Sequence, residues 1–380
     1  MPPAPASPLA SVLRREKPAR LAYAPNYWQW HAHHRNHGRM PEELAGCQTQ
    51  LEVIQRLGLD VFSRNIYCDE QHGWFCGLAQ ETWDGVSFEV ADQFDGQDRV
   101  LTKTYHTRKG TLTERQRYVF ADSTLVQEQF AVEDLEGQLD ALEELVTARR
   151  WRFLPGKYAA IQKQAGDRAV VVAGELYSPL KLLHLLVGAV NTTYLIMDHG
   201  DRIARILAGH EIAQLDLVKQ MAQAGVPAMM AMDNLDAAFH TPAYVERFSA
   251  SFYEKASRLC HESGSTFFIH ACGRQKANLK LIDSLGVDGL EGVAFPPLGD
   301  VELDEAMRMT SDRFIITGGI SAMETRSLET RQQVQDYLGG LLEKMHPYRH
   351  RFILSASCNT AIDTPWKTLV HFRDAWRELV

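Results

Sequence analysis

Two side chains suited to a soft metal ion, His270 and Cys272, stand two residues apart at the end of the run Thr266-Phe267-Phe268-Ile269-His270. Four β-favouring residues in a row make that run a strand. In a strand, residues i and i+2 share a face, and the strand rise puts their Cα atoms roughly 6.5–7 Å apart. An imidazole reaching about 2.0 Å and a thiolate reaching about 2.3 Å to zinc close that gap. Two donors do not make a site, and Cys358, at the end of a different strand, is the third candidate. A His/Cys/Cys set leaves one tetrahedral position open for water or a substrate heteroatom, the pattern of a catalytic zinc. Its thiolates prefer zinc over magnesium or calcium. The zinc deaminases also use a histidine and two cysteines, but their H-x-E and P-C-x-x-C motifs are absent here.

Other chemistry-bearing residues also fall at strand ends. Glu175 and Tyr177 follow one strand, Asp233, Asn234 and Asp236 a second, Glu291 a third, and Gly318-Gly319 a fourth. Glu175, Asp233 and Glu291 are candidates for proton transfer or a fourth zinc ligand; helix capping or ion pairing is the structural alternative. Tyr177, Asn234 and Asp236 are substrate-binding candidates. Gly318-Gly319 would let a ligand approach the backbone closely, with an ordinary turn as the alternative. Tyr27 and Trp28 could line a pocket, although core packing is the more common role for any one such aromatic. The neighbouring His31, His33, His34 and His37 match no zinc spacing and read as a solvated polar segment.

These residues need a scaffold that gathers strand ends. Strands are expected at 19–24, 60–66, 169–175, 227–232, 266–270, 287–292, 313–317 and 351–355. Amphipathic helices are expected at 41–57, 131–158, 201–224, 243–263, 275–285, 303–309, 330–345 and 364–379, the last capped by Thr364 with Pro365 in its first turn. Near-continuous apolar strands alternating with helices imply a parallel sheet covered on both sides. Eight such units point to an α/β fold of the (β/α)8 TIM-barrel type, whose functional groups collect at the C-terminal strand ends. A doubly wound sheet is the competing architecture, but the first strand–helix turn lacks its glycine fingerprint. Residues 74–120 alternate in period two and carry Asp95-Gly96 and Lys109-Gly110, so they read as an antiparallel β-hairpin insertion. The organisation expected is a flexible tail over 1–18 and one barrel domain over 19–380.

The net charge of −8 over 380 residues argues against nucleic-acid binding, which needs a basic surface. No apolar run reaches the roughly 18–20 residues that span a bilayer, and no signal-peptide pattern opens the chain. Six cysteines without a CxxC pair fit a reducing cytoplasm better than a disulfide framework. A homodimer is compatible with this composition.

Several motifs together resemble the uroporphyrinogen decarboxylase superfamily. They are His270-Ala271-Cys272-Gly273, Gly286-Val287-Asp288-Gly289-Leu290-Glu291-Gly292, Pro296-Pro297-Leu298-Gly299-Asp300 and Ile316-Thr317-Gly318-Gly319-Ile320. Gly174-Glu175-Leu176-Tyr177-Ser178-Pro179, Met232-Asp233-Asn234 and Ser357-Cys358-Asn359-Thr360 fit the same pattern. The resemblance extends from about residue 168 to the C-terminus and implies a (β/α)8 barrel. The superfamily's heme-pathway decarboxylases are metal-free and carry an N-terminal Arg-Gln-Ala-Gly-Arg motif, which this chain lacks. The chain is more similar to the cobalamin-dependent methyltransferase branch, whose His-x-Cys and late Cys bind zinc. That resemblance implies His270, Cys272 and Cys358 as ligands. It also implies cobalamin supplied by a separate corrinoid protein, since no Asp-x-His-x-x-Gly motif is present. The expected activity is methyl transfer between a small methylated substrate (such as a methoxylated compound), a thiol or folate and that cobalamin. A metal-free decarboxylase and a non-catalytic scaffold are the alternatives.

Overall fold

A computed structural model describes residues 7–67 and 77–380. Six parallel strands form one continuous ladder in spatial order Phe352–Ala356, Ile315–Ile320, Gly289–Val293, Thr266–His270, Ala228–Ala231 and Ala173–Leu176. Val170–Val171 pairs in parallel with Phe62–Ser63. Tyr23 makes a single parallel bridge to Leu354, and its carbonyl accepts the Asp60 N–H at 2.9 Å. The expected strand over 19–24 is therefore reduced to one bridge.

The strands are apolar on both faces because both are covered. Phe267, Met229 and Ile316 pack outward against the helices. Phe268, Met230, Ile315 and Ile353 pack inward with Phe62 and Val170. Burying a side chain such as Phe268 stabilises by about 2–3 kcal/mol. The inward cluster also contains Leu9 and Val12, from the helix Pro8–Leu13. Ser7 Oγ donates to the carbonyl of Arg168, and Arg15 Nε to that of Arg313, just before two of the strands. This helix therefore packs at the N-terminal strand ends. Residues 8–13 are thus no flexible tail, because Leu9 and Val12 are wholly buried; residues 1–6 lie outside those described.

Helix starts follow local chemistry. Ser178, Thr241 and Thr330 each accept a backbone N–H of the first turn, and proline follows directly in the first two cases. The last helix is Trp366–Leu379, with Pro365 rather than Thr364 at its N-cap. The helix expected over 131–158 is instead helix Leu139–Ala148, strand Arg149–Phe153 and helix Pro155–Ala165. The β-run Arg149-Arg150-Trp151-Arg152-Phe153 pairs antiparallel with Ala79–Trp83. Residues 28–36 are helical, and His31 within them is buried. A helix over Ala189–Gln223, bent at His199 where φ is −132°, is longer than the expected 201–224.

A four-stranded antiparallel sheet runs Ser87–Asp95, Asp98–Thr107, Gly110–Val119 and Thr124–Gln129. Between this sheet, the Ala79–Trp83 ribbon and strand Ala173–Leu176 lies a cavity of about 660 Å³ lined by Trp83, Tyr105, Trp151 and Glu175, among others. Among the described residues, no single helix is long and apolar enough to cross a membrane.

Candidate metal centre

Parallel register builds the centre. His270 and Glu291 are direct partners on adjacent strands. His270 has the parity of inward-facing Phe268, and a Cβ on Gly289 would meet the Phe268 ring. Both polar side chains therefore point inward at the C-terminal strand ends. Glu291 Oε2 accepts from His270 Nδ1 at 2.5 Å and from Arg64 Nε at 2.9 Å. All three side chains are less than a tenth exposed. Fixing Nδ1 as the protonated nitrogen leaves Nε2 as a lone-pair donor. Nε2 lies 3.7 Å from Cys358 Sγ.

His270, Cys272 and Cys358 offer donor atoms all within 4.8 Å of one another, and no other such group of three occurs among the described residues. Bonds of about 2.0 Å to nitrogen and 2.3 Å to sulfur around a tetrahedral ion imply donor separations of roughly 3.5–3.8 Å. The 3.7 Å contact fits, and one borderline nitrogen with two soft sulfurs fits zinc. Asn26 holds the Cys358 loop: its Nδ2 donates to the carbonyl of Cys358 at 2.9 Å and to Asn359 Oδ1 at 2.7 Å.

The electrostatics suit a thiolate-bearing site. The hydrogen bond from Cys358 does most to lower the Cys272 thiol; burial opposes it, and Arg64 and Lys181 add to the lowering. Cys358 is pushed up to about 12, first by that same hydrogen bond and then by burial. The pair thus favours ionisation of Cys272 over that of Cys358. Burial works to raise Glu291, but Arg64 and His270 outweigh it and hold the carboxyl at about 2. Glu291 is consequently a fixed carboxylate that orients the imidazole.

The other expected site residues divide. Asp233 follows outward-facing Ala231. Its Oδ1 accepts the Ser178 N–H at 2.9 Å and its Oδ2 accepts the Tyr253 hydroxyl, so it anchors a helix start. Glu175 has a structural partner as well. It accepts the Leu78 N–H at 2.8 Å, lines the 660 Å³ cavity with Tyr177, and burial is the main cause raising its carboxyl. Tyr27 is wholly buried against Trp30, with its hydroxyl 3.5 Å from that of Tyr23, and so belongs to the core. Trp28, half-buried, begins the following helix. Asn234 is exposed at φ +48°, and Asp236 accepts from the Ala238 N–H and Arg274 Nε. Gly318 and Gly319 lie inside a strand. A Cβ on Gly318 would come 2.4 Å from the Val293 carbonyl, and one on Gly319 would meet Leu341, Leu303 and Phe352. These two glycines let neighbouring strands and helices close rather than a ligand approach.

Arg64 and Asn26 escape sequence reasoning, although each directly follows or lies close after a strand segment at the same rim. Gly292 does too: at φ +88°, a Cβ there would stand 2.9 Å from His270 Cε1.

In comparisons with known proteins, no curated protein matches this sequence. Among solved structures, a methyltransferase from Methanosarcina mazei is 16% identical with a TM-score of 0.59, and the match covers 98% of this chain and 97% of that one. That likeness is one of fold. A D-psicose 3-epimerase from Clostridium cellulolyticum H10 is 11% identical with a TM-score of 0.35, over 60% of this chain and 83% of that one. Residues 129–379, which contain every candidate donor, match the family Uroporphyrinogen decarboxylase (URO-D), and the chain belongs to that family.

Proposed function

We propose that this protein is a zinc-dependent methyltransferase that moves a methyl group between a small substrate and the cobalamin of a separate corrinoid protein. The observation that carries the reading is the His270, Cys272, Cys358 donor set at the C-terminal strand ends, its donor atoms within 4.8 Å of one another; three such donors would leave the fourth position of a tetrahedral zinc for water or substrate. Family membership and the fold likeness to a methyltransferase support it. On this reading the ladders described above belong to an eight-stranded barrel, and the antiparallel sheet is an insertion at its rim.

When bound, zinc would supply Lewis acidity to a substrate heteroatom, or hold a thiol as its thiolate at neutral pH. The chain's own residues prepare the position. Glu291 keeps the His270 proton on Nδ1, so that Nε2 faces the sulfurs. Arg64 keeps Glu291 ionised in a buried setting. Asn26 fixes the backbone that carries Cys358. The substrate is a methoxylated compound, a thiol or a folate, with the corrinoid protein docking at the same rim. A metal-free decarboxylase of a polycarboxylate would need a guanidinium available to substrate carboxylates, whereas Arg64 is committed to Glu291.

Metal analysis of the purified protein tests the reading. About one zinc per chain is expected, lost in Cys358→Ser, together with substrate-dependent methylation of cob(I)alamin followed by absorbance. Zinc absent from the wild type, or unaffected by the substitution, overturns it.

A further inference from the structure

None of the three donors lines the cavity beside strand Ala173–Leu176. Its walls follow from the period of a strand, which puts residues i and i+2 on one face. Lys103 and Tyr105 of Asp98–Thr107, Glu114 and Gln116 of Gly110–Val119, and Leu125 and Gln127 of Thr124–Gln129 thus face it together. Trp83 and Trp151 close it from the antiparallel ribbon. Phe88 and Leu185 also line it and are exposed, so the space opens to solvent beside them. Gly174 lines it at the strand end, and a Cβ there would stand 3.1 Å from Arg64 Cβ, so the cavity backs onto the residue that holds Glu291. About 660 Å³ is the size of a small-molecule site and far more than a bound water needs.

The charged groups around this space are engaged within the protein. Lys103 Nζ is 3.4 Å from Glu81 Oε2 and lies 4.7 Å from the centre of the Trp83 ring and 5.1 Å from those of Phe88 and Tyr105. Arg149 Nη1 is 3.5 Å from the other Glu81 oxygen. Tyr105 donates to Glu114 at 2.6 Å, and Lys157 to the Gly77 carbonyl at 2.7 Å. A cationic ligand therefore meets a three-ring cage already filled by the protein's own ammonium, and an anionic one must displace an existing partner of Lys103 or Lys157. What stays unmet is neutral. Gln127 Nε2 donates to the Gln129 carbonyl at 2.7 Å, and Gln127 Oε1 accepts from Gln116 Nε2 at 2.9 Å, which fixes both amides. Gln116 Oε1 is left as an acceptor with no partner among the described residues, and Trp151 Nε1 as a donor in the same condition. Unpaired polar atoms withdrawn from water are unfavourable until a bound molecule meets them.

We infer that this cavity is a binding site for an uncharged, planar aromatic molecule of about two fused rings, carrying on its edge a hydroxyl or N–H group that Gln116 accepts. Trp83 and Trp151, with Leu125 and Leu154, give a flat ring its apolar contact. The neutral amides of Gln116 and Gln127 set its orientation. The inference goes beyond the zinc reading and does not depend on it.

Calorimetric titration of the purified protein tests the assignment. The probes are 2-naphthol, its saturated counterpart decahydro-2-naphthol, 2-methoxynaphthalene, which lacks the donor, and 2-naphthoate, which is charged. In the wild type, 2-naphthol is expected to bind about tenfold more tightly than the saturated alcohol, the scale of a favourable aromatic contact. It should bind about fivefold more tightly than 2-methoxynaphthalene, the scale of one net hydrogen bond, and 2-naphthoate should bind least. Gln116→Leu is expected to remove the donor preference and leave the Kd of 2-methoxynaphthalene unchanged. Ala79→Trp, which fills the space, should abolish binding, and Trp151→Leu, which strips one wall, should weaken 2-naphthol about fivefold. The same Kd values are expected after chelation of any metal, so a failed zinc reading leaves this site standing. Three wild-type results overturn the inference without any variant: no binding of 2-naphthol up to about 1 mM, no preference for the flat ring over the saturated one, or tighter binding of 2-naphthoate. A donor preference that survives Gln116→Leu, or an unchanged 2-naphthol Kd in folded Ala79→Trp or Trp151→Leu, puts the binding elsewhere and overturns it too.

Discussion

Glu291 and His270 face each other across two parallel strands, and the 2.5 Å hydrogen bond between them decides which imidazole nitrogen is free. Glu291→Gln keeps the shape but can donate to Nδ1 and so reverse the tautomer, and it leaves Arg64 without its anion. Zinc affinity is expected to fall about 10–100-fold. Competition with a chromophoric chelator measures this; an unchanged affinity would mean that the carboxylate does not set the imidazole.

Gly292→Ala tests the packing behind the same ring. The new Cβ would stand 2.9 Å from Cε1 and 3.1 Å from Nδ1 of His270, on backbone at φ +88°. Strain of about 1–3 kcal/mol is expected, together with loss of zinc as the ring is displaced. Urea melts and metal content report the two effects; if neither moves, the ring has more room than the structure gives it.

Asp233→Asn separates an anchoring role from a chemical one. The Tyr253 hydroxyl loses a charged acceptor in a site that is 0% exposed, so stability should drop by about 1–3 kcal/mol while zinc content stays at the wild-type level. Lost turnover with unchanged stability would return Asp233 to the list of proton-transfer groups.

Acid should destabilise the fold before carboxylates titrate. Burial, the leading cause, lowers His184 to about 4 and His210 to about 3, from a usual value of 6.5. These imidazoles refuse protons in the folded chain that they accept when it unfolds. Their contribution is therefore intact above the usual value and is lost as the pH falls through it toward the folded values. By pH ~5 each histidine should have cost about 2 kcal/mol relative to neutral pH. Urea midpoints against pH measure the slope, and His210→Gln, which can still donate to the Tyr177 carbonyl, should flatten it.

The clustering of His270, Cys272 and Cys358 is legible because such side chains at strand ends are rare and their spacing maps directly onto a pleated strand. The place of Glu291 is legible for the same reason, since it ends a strand that pairs with the one carrying His270, while its pairing with Arg64 and His270 is the structural alternative to the chemical role expected of it. Asp233 and Glu175 mislead because proximity to a strand end does not say which face a residue takes. Asp233 continues the outward parity of Ala231, and Glu175 turns to the Ala79–Trp83 side. Tyr27 misleads because an aromatic residue in a loop and one in a core look alike in sequence. Arg64 and Asn26 are invisible for a different reason. Their partners lie 227 and 332 residues away, and only the tertiary fold brings them together. The strand over Arg149–Phe153 was hidden between two helical stretches whose periodicity ran across it.

The helix Pro8–Leu13 has a consequence for traffic. Leu9 and Val12 stopper the strand interior at the end remote from Cys272 and Cys358. Among the described residues, two wholly buried side chains cover that end, so the approach the packing leaves to the donor atoms is from the C-terminal strand ends. On the proposed reading, both reactants would come from that one side, a direction set by two apolar side chains far from the chemistry.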